Sequence, residues 1–142
     1  MNESNPDVRT VVVERDMPHP PDKVWRALTQ PHLISEWLMK TDFRPERGHS
    51  FSMRGDWGGV ECKVLEIEPH STLSYTWDHA HDDRAFALKS VVTFTLTPTE
   101  AGTRVRMEQT GFRPDQRQAL GGAQFGWQQH LENLEKAVSR LE

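Results

Sequence analysis

Two hydrophobic periods alternate along the chain, and the change from one to the other marks out its elements. From Gly121 to Glu142, Trp127, Leu131, Leu134, Val138 and Leu141 recur at alternating steps of four and three residues. That spacing keeps them on one stripe of a 3.6-residue helix. Glu132, Glu135, Lys136, Ser139 and Arg140 fill much of the remaining surface, and Gly121 and Gly122, poor helix formers, mark the start. A stripe of Trp, Leu and Val has to be covered, since fully burying each large apolar side chain is worth roughly 1.5–3 kcal/mol. The strand-rich sequence before the helix is expected to supply the covering surface.

Val8 to Arg15 contains Val11, Val12 and Val13, a β-branched run that predicts a first strand, ended by Pro18, Pro20 and Pro21. Pro21-Asp22-Lys23 reads as a first helical turn, with proline where its missing N–H costs nothing and an acid near the positive helix end. Val24, Ala27 and Leu28 give this helix one buried face. Thr29-Gln30-Pro31 repeats the start signal, and Leu33, Ile34, Trp37 and Leu38 follow at helical spacing. Trp25 and Trp37 are placed to pack these two short helices against the rim of a sheet.

From there to Phe112 the period is two. Phe51 and Met53 precede a turn at Gly55-Asp56-Trp57-Gly58-Gly59, and Val60, Cys62 and Val64 follow it. The register then shifts at Leu65 and Ile67, which predicts a bulge. Leu73, Tyr75 and Trp77 form the next apolar face, then Val92, Phe94 and Leu96, then Val105 and Met107, with turns at Pro69-His70-Ser71 and from Pro98 to Gly102. Strand, two small helices, a run of antiparallel strands and one long helix make an α+β layer in which the sheet wraps the C-terminal helix. If the alternation holds, Phe51, Met53, Leu73, Tyr75, Trp77, Val92, Phe94, Val105, Met107 and Gln109 all face inward. Gln109 stands apart among them, because a buried amide has to be hydrogen-bonded to protein, water or a ligand.

Composition narrows the picture. A chain of 142 residues supports one core and not two. Mean hydropathy is -0.72, and no apolar run approaches the ~18 residues of a membrane span. Residues 1–7 are polar, do not resemble a signal peptide, and are expected to be disordered ahead of a single domain over residues 8–142. A net charge of -4 argues against nucleic acid as a partner, which requires clustered Lys and Arg. The single Cys62 excludes an internal disulfide, and a cytoplasmic location is expected.

The residues also carry a resemblance. Val24-Trp25-Arg26-Ala27-Leu28-Thr29, Pro31, Trp37, Leu73 to Trp77, Gly111-Phe112, and Gly126-Trp127 with Leu131, Leu134 and Leu141 are similar to the AHSA-type family. That family is named for homologues of an activator of the ninety-kilodalton heat-shock protein ATPase and belongs to the START-like helix-grip superfamily. The resemblance runs from about Val8 to Glu142. It implies a curved antiparallel sheet gripping the C-terminal helix, with a cavity between them. It does not imply one activity, since the superfamily includes lipid and hormone binders, cyclases and co-chaperone domains.

Other candidate chemistry is sparse. His79-Ala80-His81-Asp82-Asp83 offers metal-type ligands, but as a polar segment between two strands it reads as a solvated hairpin loop. His19, His32, His49 and His70 are scattered, and His130 lies beside the main stripe of the long helix as a flank. Glu61, Glu66 and Glu68 are expected to be mostly exposed, and Cys62 shares parity with Val60 and Val64, as an inert buried thiol would. Arg54-Gly55-Asp56 is read as a chance tripeptide, and no nucleophile elbow, phosphate-binding glycine loop or zinc-protease motif is present.

With the cavity that the resemblance implies, the leading reading is a small-molecule-binding protein holding a hydrophobic or aromatic ligand. The expected contacts are Phe51, Met53, Tyr75, Trp77, Val92, Phe94, Met107, Gln109, Trp127 and Leu131, with no metal and no cofactor. Such a protein is expected as a monomer or weak homodimer. The first alternative is a co-chaperone-like module with a heat-shock protein partner, although an activator of that kind is expected to carry an additional N-terminal domain. The second is a cyclase or hydrolase in which Tyr75, Gln109 or His130 positions a proton; the absence of a clear acid–base pair ranks it below binding.

Overall fold

Pro21 and Pro31 each open a short helix at the first position, where a proline ring is preorganised. The computed structural model describes residues 8–56, 58–80, 82–83 and 87–141. The tail expected to be disordered over residues 1–7, Trp57 of the first predicted turn and His81 of the His–Asp cluster lie outside these. In chain order the elements are β1 (Arg9–Met17), α1 (Pro21–Thr29), α2 (Pro31–Trp37), β2 (Lys40–Thr41), β3 (Ser50–Gly55), β4 (Gly58–Glu68), β5 (Thr72–His79), β6 (Leu88–Pro98), β7 (Thr103–Phe112) and α3 (Arg117–Ser139). The two-residue β2 has no sequence signal of its own and exists through its pairing with β3.

The strands form one seven-stranded antiparallel sheet in the order β1-β7-β6-β5-β4-β3-β2. The meander from β2 to β7 follows chain order, and β1 is added beyond β7. Register is set by inward-facing rows, because a one-residue slip would turn every apolar side chain outward. Val64 lies opposite Tyr75, Tyr75 opposite Val92, Val92 opposite Gln109, and Gln109 opposite Val11. The predicted bulge lies between Val64 and Glu66, where the pairing of β4 with β5 shifts, and it leaves Leu65 exposed. Gly111 has φ 129°, and a Cβ there would collide with the Lys89 carbonyl, so β6 and β7 approach as they do only over a glycine.

The concave face of this sheet, α1, α2 and α3 share one core. Trp37 is buried deeper than the rim position expected of it: its indole N–H donates to the Ala27 carbonyl at 2.8 Å, and its ring meets Phe94 edge-on at 6.1 Å. Trp25 does reach the rim, where it meets the ring of His70 in the β4–β5 turn. On the outer side, Arg104 pairs with Asp16 and Arg106 with Glu14 and Glu108, all largely exposed and therefore of small net worth.

The long helix departs from expectation at its start. It begins at Arg117, so Gly121 and Gly122 lie inside it rather than at its boundary. Glycine disfavours a helix by about 1 kcal/mol relative to alanine, but half-buried Ala119, Leu120 and Ala123 pack against the core on both sides of the pair. Tertiary burial overrides the local preference. The first turn is otherwise poorly supported, with no side-chain cap and no acidic residue. It is tied down instead by Gln116, whose buried amide accepts from the Arg113 N–H at 2.9 Å and donates to the Ala87 carbonyl at 2.7 Å.

The displaced helix start has a direct test. A Cβ at Gly121 would meet nothing within 4 Å, and the residue is exposed. Gly121→Ala is therefore expected to raise stability by about 0.4–1 kcal/mol in chemical denaturation. A loss of stability would place Gly121 outside the helix.

Candidate functional site

The most constrained point of the interior is where α3 meets the middle of the sheet. Trp127 faces inward from α3, and its indole N–H donates to the Gln109 side-chain carbonyl at 2.8 Å. The Gln109 amide N–H donates in turn to the Ser90 hydroxyl at 3.0 Å, and that hydroxyl donates to the Trp77 backbone carbonyl at 2.7 Å. This relay runs from α3 through β7 and β6 to β5. Gln109 is thus the structurally satisfied amide that its parity allowed, with protein partners at both ends of its side chain.

Beside the relay lies a cavity of about 560 Å³. The strands contribute Trp77, Leu88, Gln109 and Phe112 to its wall, and α3 contributes Ala119, Gly122, Ala123, Gly126, Trp127 and His130. The helix residues recur at steps of three and four, so they form one face, and that face is small until it reaches Trp127. A Cβ at Gly122 or Gly126 would meet nothing within 4 Å. The space exists because four residues with little or no side chain occupy the face that bulky residues fill further along the helix. No described lining residue is a Lys, Arg, Asp or Glu. The aromatic wall is continuous: Trp77 and Trp127 have ring centroids 5.3 Å apart, and His130 meets Trp127 edge-on, also at 5.3 Å.

His130 is more enclosed than a flanking position implies. Its Nδ1 is shut off from solvent without a hydrogen-bond partner. Burial holds the imidazole pKa below its ordinary value, opposed in part by the nearby Trp37 carbonyl, so the ring is neutral at neutral pH.

Of the ten expected contacts, the structure brings Trp77, Gln109 and Trp127 to the cavity wall. Phe51, Met53, Tyr75, Val92, Phe94, Met107 and Leu131 are packed in the core. Several of them belong to a chain of ring contacts, Phe43 to Phe51 at 5.0 Å, Phe51 to Tyr75 at 5.2 Å, Tyr75 to Phe94 at 6.1 Å and Phe94 to Trp127 at 5.9 Å. Tyr75 is therefore separated from the Gln109–His130 wall, and burial pushes its phenol pKa well above 10. Leu88, Phe112 and the small residues of α3 were not anticipated, and His130, named only for the catalytic alternative, joins them on the wall. The available signal was the spacing of Ala119, Gly122, Ala123 and Gly126, which continues the face of Trp127 toward the helix start.

The remaining candidates do not form a centre. His79 ends β5, with Nδ1 3.2 Å from the Gly59 carbonyl. Among the described residues no three His, Cys, Asp or Glu side chains come together in a way that could hold a metal. Cys62 is buried, and its thiol pKa is pushed up to about 12, first by burial and then by the charges of Asp78, Glu61 and Asp42. Since the thiolate is the reactive form, alkylation of the folded protein by iodoacetamide at pH 8 is expected to be at least about 100-fold slower than in denaturant. Comparable rates, followed by mass spectrometry, would show Cys62 to be accessible and ionisable.

The same fold occurs in known proteins. Protein MLL2253 from Mesorhizobium loti is 64% identical, with a TM-score of 0.91 over 94% of this chain and 99% of that one. Protein BH1534 from Bacillus halodurans is 25% identical, with a TM-score of 0.79 over 92% of this chain and 96% of that one. CalU16 from Micromonospora echinospora, 23% identical, shares the fold at a TM-score of 0.77 over 94% of this chain and 78% of that one. No curated protein matches the chain. Among the described residues no helix is long and apolar enough to cross a membrane. The family model described as Activator of Hsp90 ATPase homolog 1-like protein matches residues 18–139, which spans both short helices, β2 to β7 and all of α3, and the chain belongs to that family.

Proposed function

We propose that the protein binds a hydrophobic small molecule between β5, β6 and β7 and the first half of α3. The observation that carries this reading is the cavity itself. Its volume of about 560 Å³ falls within the roughly 300–1,000 Å³ of small-molecule sites, which are mostly apolar with a few placed polar groups. Aromatic area comes from Trp77, Phe112 and Trp127, and polarity from Gln109 and His130. Phe94, outside the wall, supports it from behind through its edge contact with Trp127 at 5.9 Å.

The family name points to a second role, docking on a heat-shock ATPase. Among the described residues the large apolar side chains left exposed are Leu65 and Phe125, the latter 74% exposed on α3. Scattered single residues of this kind are ordinary on a protein surface, so the small-molecule reading stands first. Catalysis has less support, because Gln109 is committed to its protein partners and Tyr75 is remote from the wall.

A neutral fluorescent probe, N-phenyl-1-naphthylamine, is expected to bind at micromolar concentration with increased emission and quenching of tryptophan. At about 100 times its dissociation constant it is expected to add roughly 2.7 kcal/mol of stability. Ala123→Phe fills the cavity from the helix side and is expected to abolish binding while circular dichroism stays unchanged. No binding by the parent protein, or full binding by the folded variant, would refute the proposal.

A further inference from the structure

We infer that the free edge of β1 and the adjoining flank of α3 form a surface for a second copy of this chain, with β1 of each copy pairing antiparallel about a two-fold axis at Val13. The inference is independent of the cavity and starts from the two ends of the sheet. At one end β2 is two residues long, so that edge is blunted. At the other end β1 pairs with β7 in continuous register from Thr10 to Met17 and, among the described residues, has no strand on its outer side. Neither a proline nor a bulge guards this edge within that run. Its charges are matched within the chain, Arg15 by Glu135, Asp16 by Arg104 and Glu14 by Arg106. A groove of about 320 Å³ lies along the edge, with Val12, Val13, Glu14 and Arg15 on one side and Gln124 and Gln128 of α3 on the other. Successive strand side chains point to opposite faces, so four in a row share one groove along their main chain. That main chain offers the donors and acceptors that an added strand satisfies.

Symmetry and charge select a second copy as the occupant. Residues opposed in an antiparallel pair point to the same face, so a two-fold axis falls on one residue and pairs it with itself. An axis at Glu14 sets Glu14 against itself, and one at Val12 sets Arg9 against Arg15 of the other copy. An axis at Val13 opposes Val12 to Glu14, Val11 to Arg15 and Thr10 to Asp16, with no like charges facing. The helix flank beside the groove is self-complementary in the same sense. Arg117, Gly121, Gln124, Gln128 and Glu132 recur at steps of three and four and lie along one flank, uncharged in the middle with opposite charges at its ends. Two such flanks laid antiparallel about a point between Gln124 and Phe125 bring Arg117 of each copy to Glu132 of the other. Glu132 also meets Lys136 of its own helix at 3.7 Å, a weak tie between exposed groups. Phe125 is largely exposed next to this flank, and a Cβ at Gly121 would meet nothing within 4 Å, so the ring of one copy has open surface on the other to cover. A lone exposed Phe is ordinary, but beside a bare strand edge it supplies the apolar centre of a two-fold contact.

Sedimentation velocity over a micromolar to millimolar series is expected to show a monomer–dimer equilibrium. Arg117→Glu brings like charges together twice in a symmetric dimer and is expected to raise the dissociation constant about tenfold. Adding Glu132→Arg restores opposite charges and is expected to recover most of the affinity, a rescue that damage to the fold would not allow. Phe125→Glu is expected to give a monomer with unchanged circular dichroism. Amides of β1 between Val11 and Arg15 are expected to exchange more slowly in the dimer than after dilution. A monomer at every concentration would overturn the inference. So would a dimer that survives both Arg117→Glu and Phe125→Glu, or one that adds no protection to β1.

Discussion

The hydrogen bond from the Trp127 indole to Gln109 is the contact on which the rest of the interior depends. An indole buried to 3% exposure cannot leave its N–H unpaired without a cost of about 1–3 kcal/mol, so Gln109 has to sit opposite it. Gln109 reaches that place only because β7 is held in one register between Val11 of β1 and Val92 of β6. A slip of one residue would present Glu108 or Thr110 instead. The same bond fixes the rotation of the indole, and with it the edge contacts to Phe94, Trp77 and His130. Sheet register and helix placement are therefore specified together.

Much of this architecture is legible in the amino-acid sequence because it is written in periodicity. Two prolines ten residues apart announce α1 and α2, and strict alternation through Val92, Phe94 and Leu96 and through Val105 and Met107 gives β6 and β7 their inward faces. Even the bulge after Val64 is visible as a phase change. The start of α3 is not, because Gly121 and Gly122 carry a local signal that only tertiary packing overrules. β2 is not either, since two residues hold no period.

The site is less legible for a related reason. Parity tells which side chains face inward but not how much room lies in front of them. Phe51, Tyr75, Val92 and Phe94 face the same interior as Gln109, yet there the rings pack on one another and on Phe43 and Trp37, and the space is filled. Opposite Trp77, Leu88 and Phe112 the helix carries alanine and glycine, and the space is open. The difference lies between elements far apart in the chain. His130 is hidden likewise, as its enclosure comes from its place between Trp127 and α2 and not from the residues beside it in sequence.

The two halves of α3 are unequal in what holds them. From Trp127 onward, Leu131, Leu134, Ala137 and Val138 are buried and Glu135 pairs with Arg15 of β1 at 2.7 Å. Before it, three glycines stand within six residues, the first turn has no side-chain cap, and the inner face looks onto open space. Local opening costs least where few apolar contacts have to be broken, so amide exchange with solvent is expected to be faster over Arg117–Gly126 than over the half that follows. Unwinding that segment would widen the cavity while leaving the Trp127–Gln109 bond in place. In the binding function proposed above, fraying of one helix end would widen the way in, a far smaller event than unfolding of the domain.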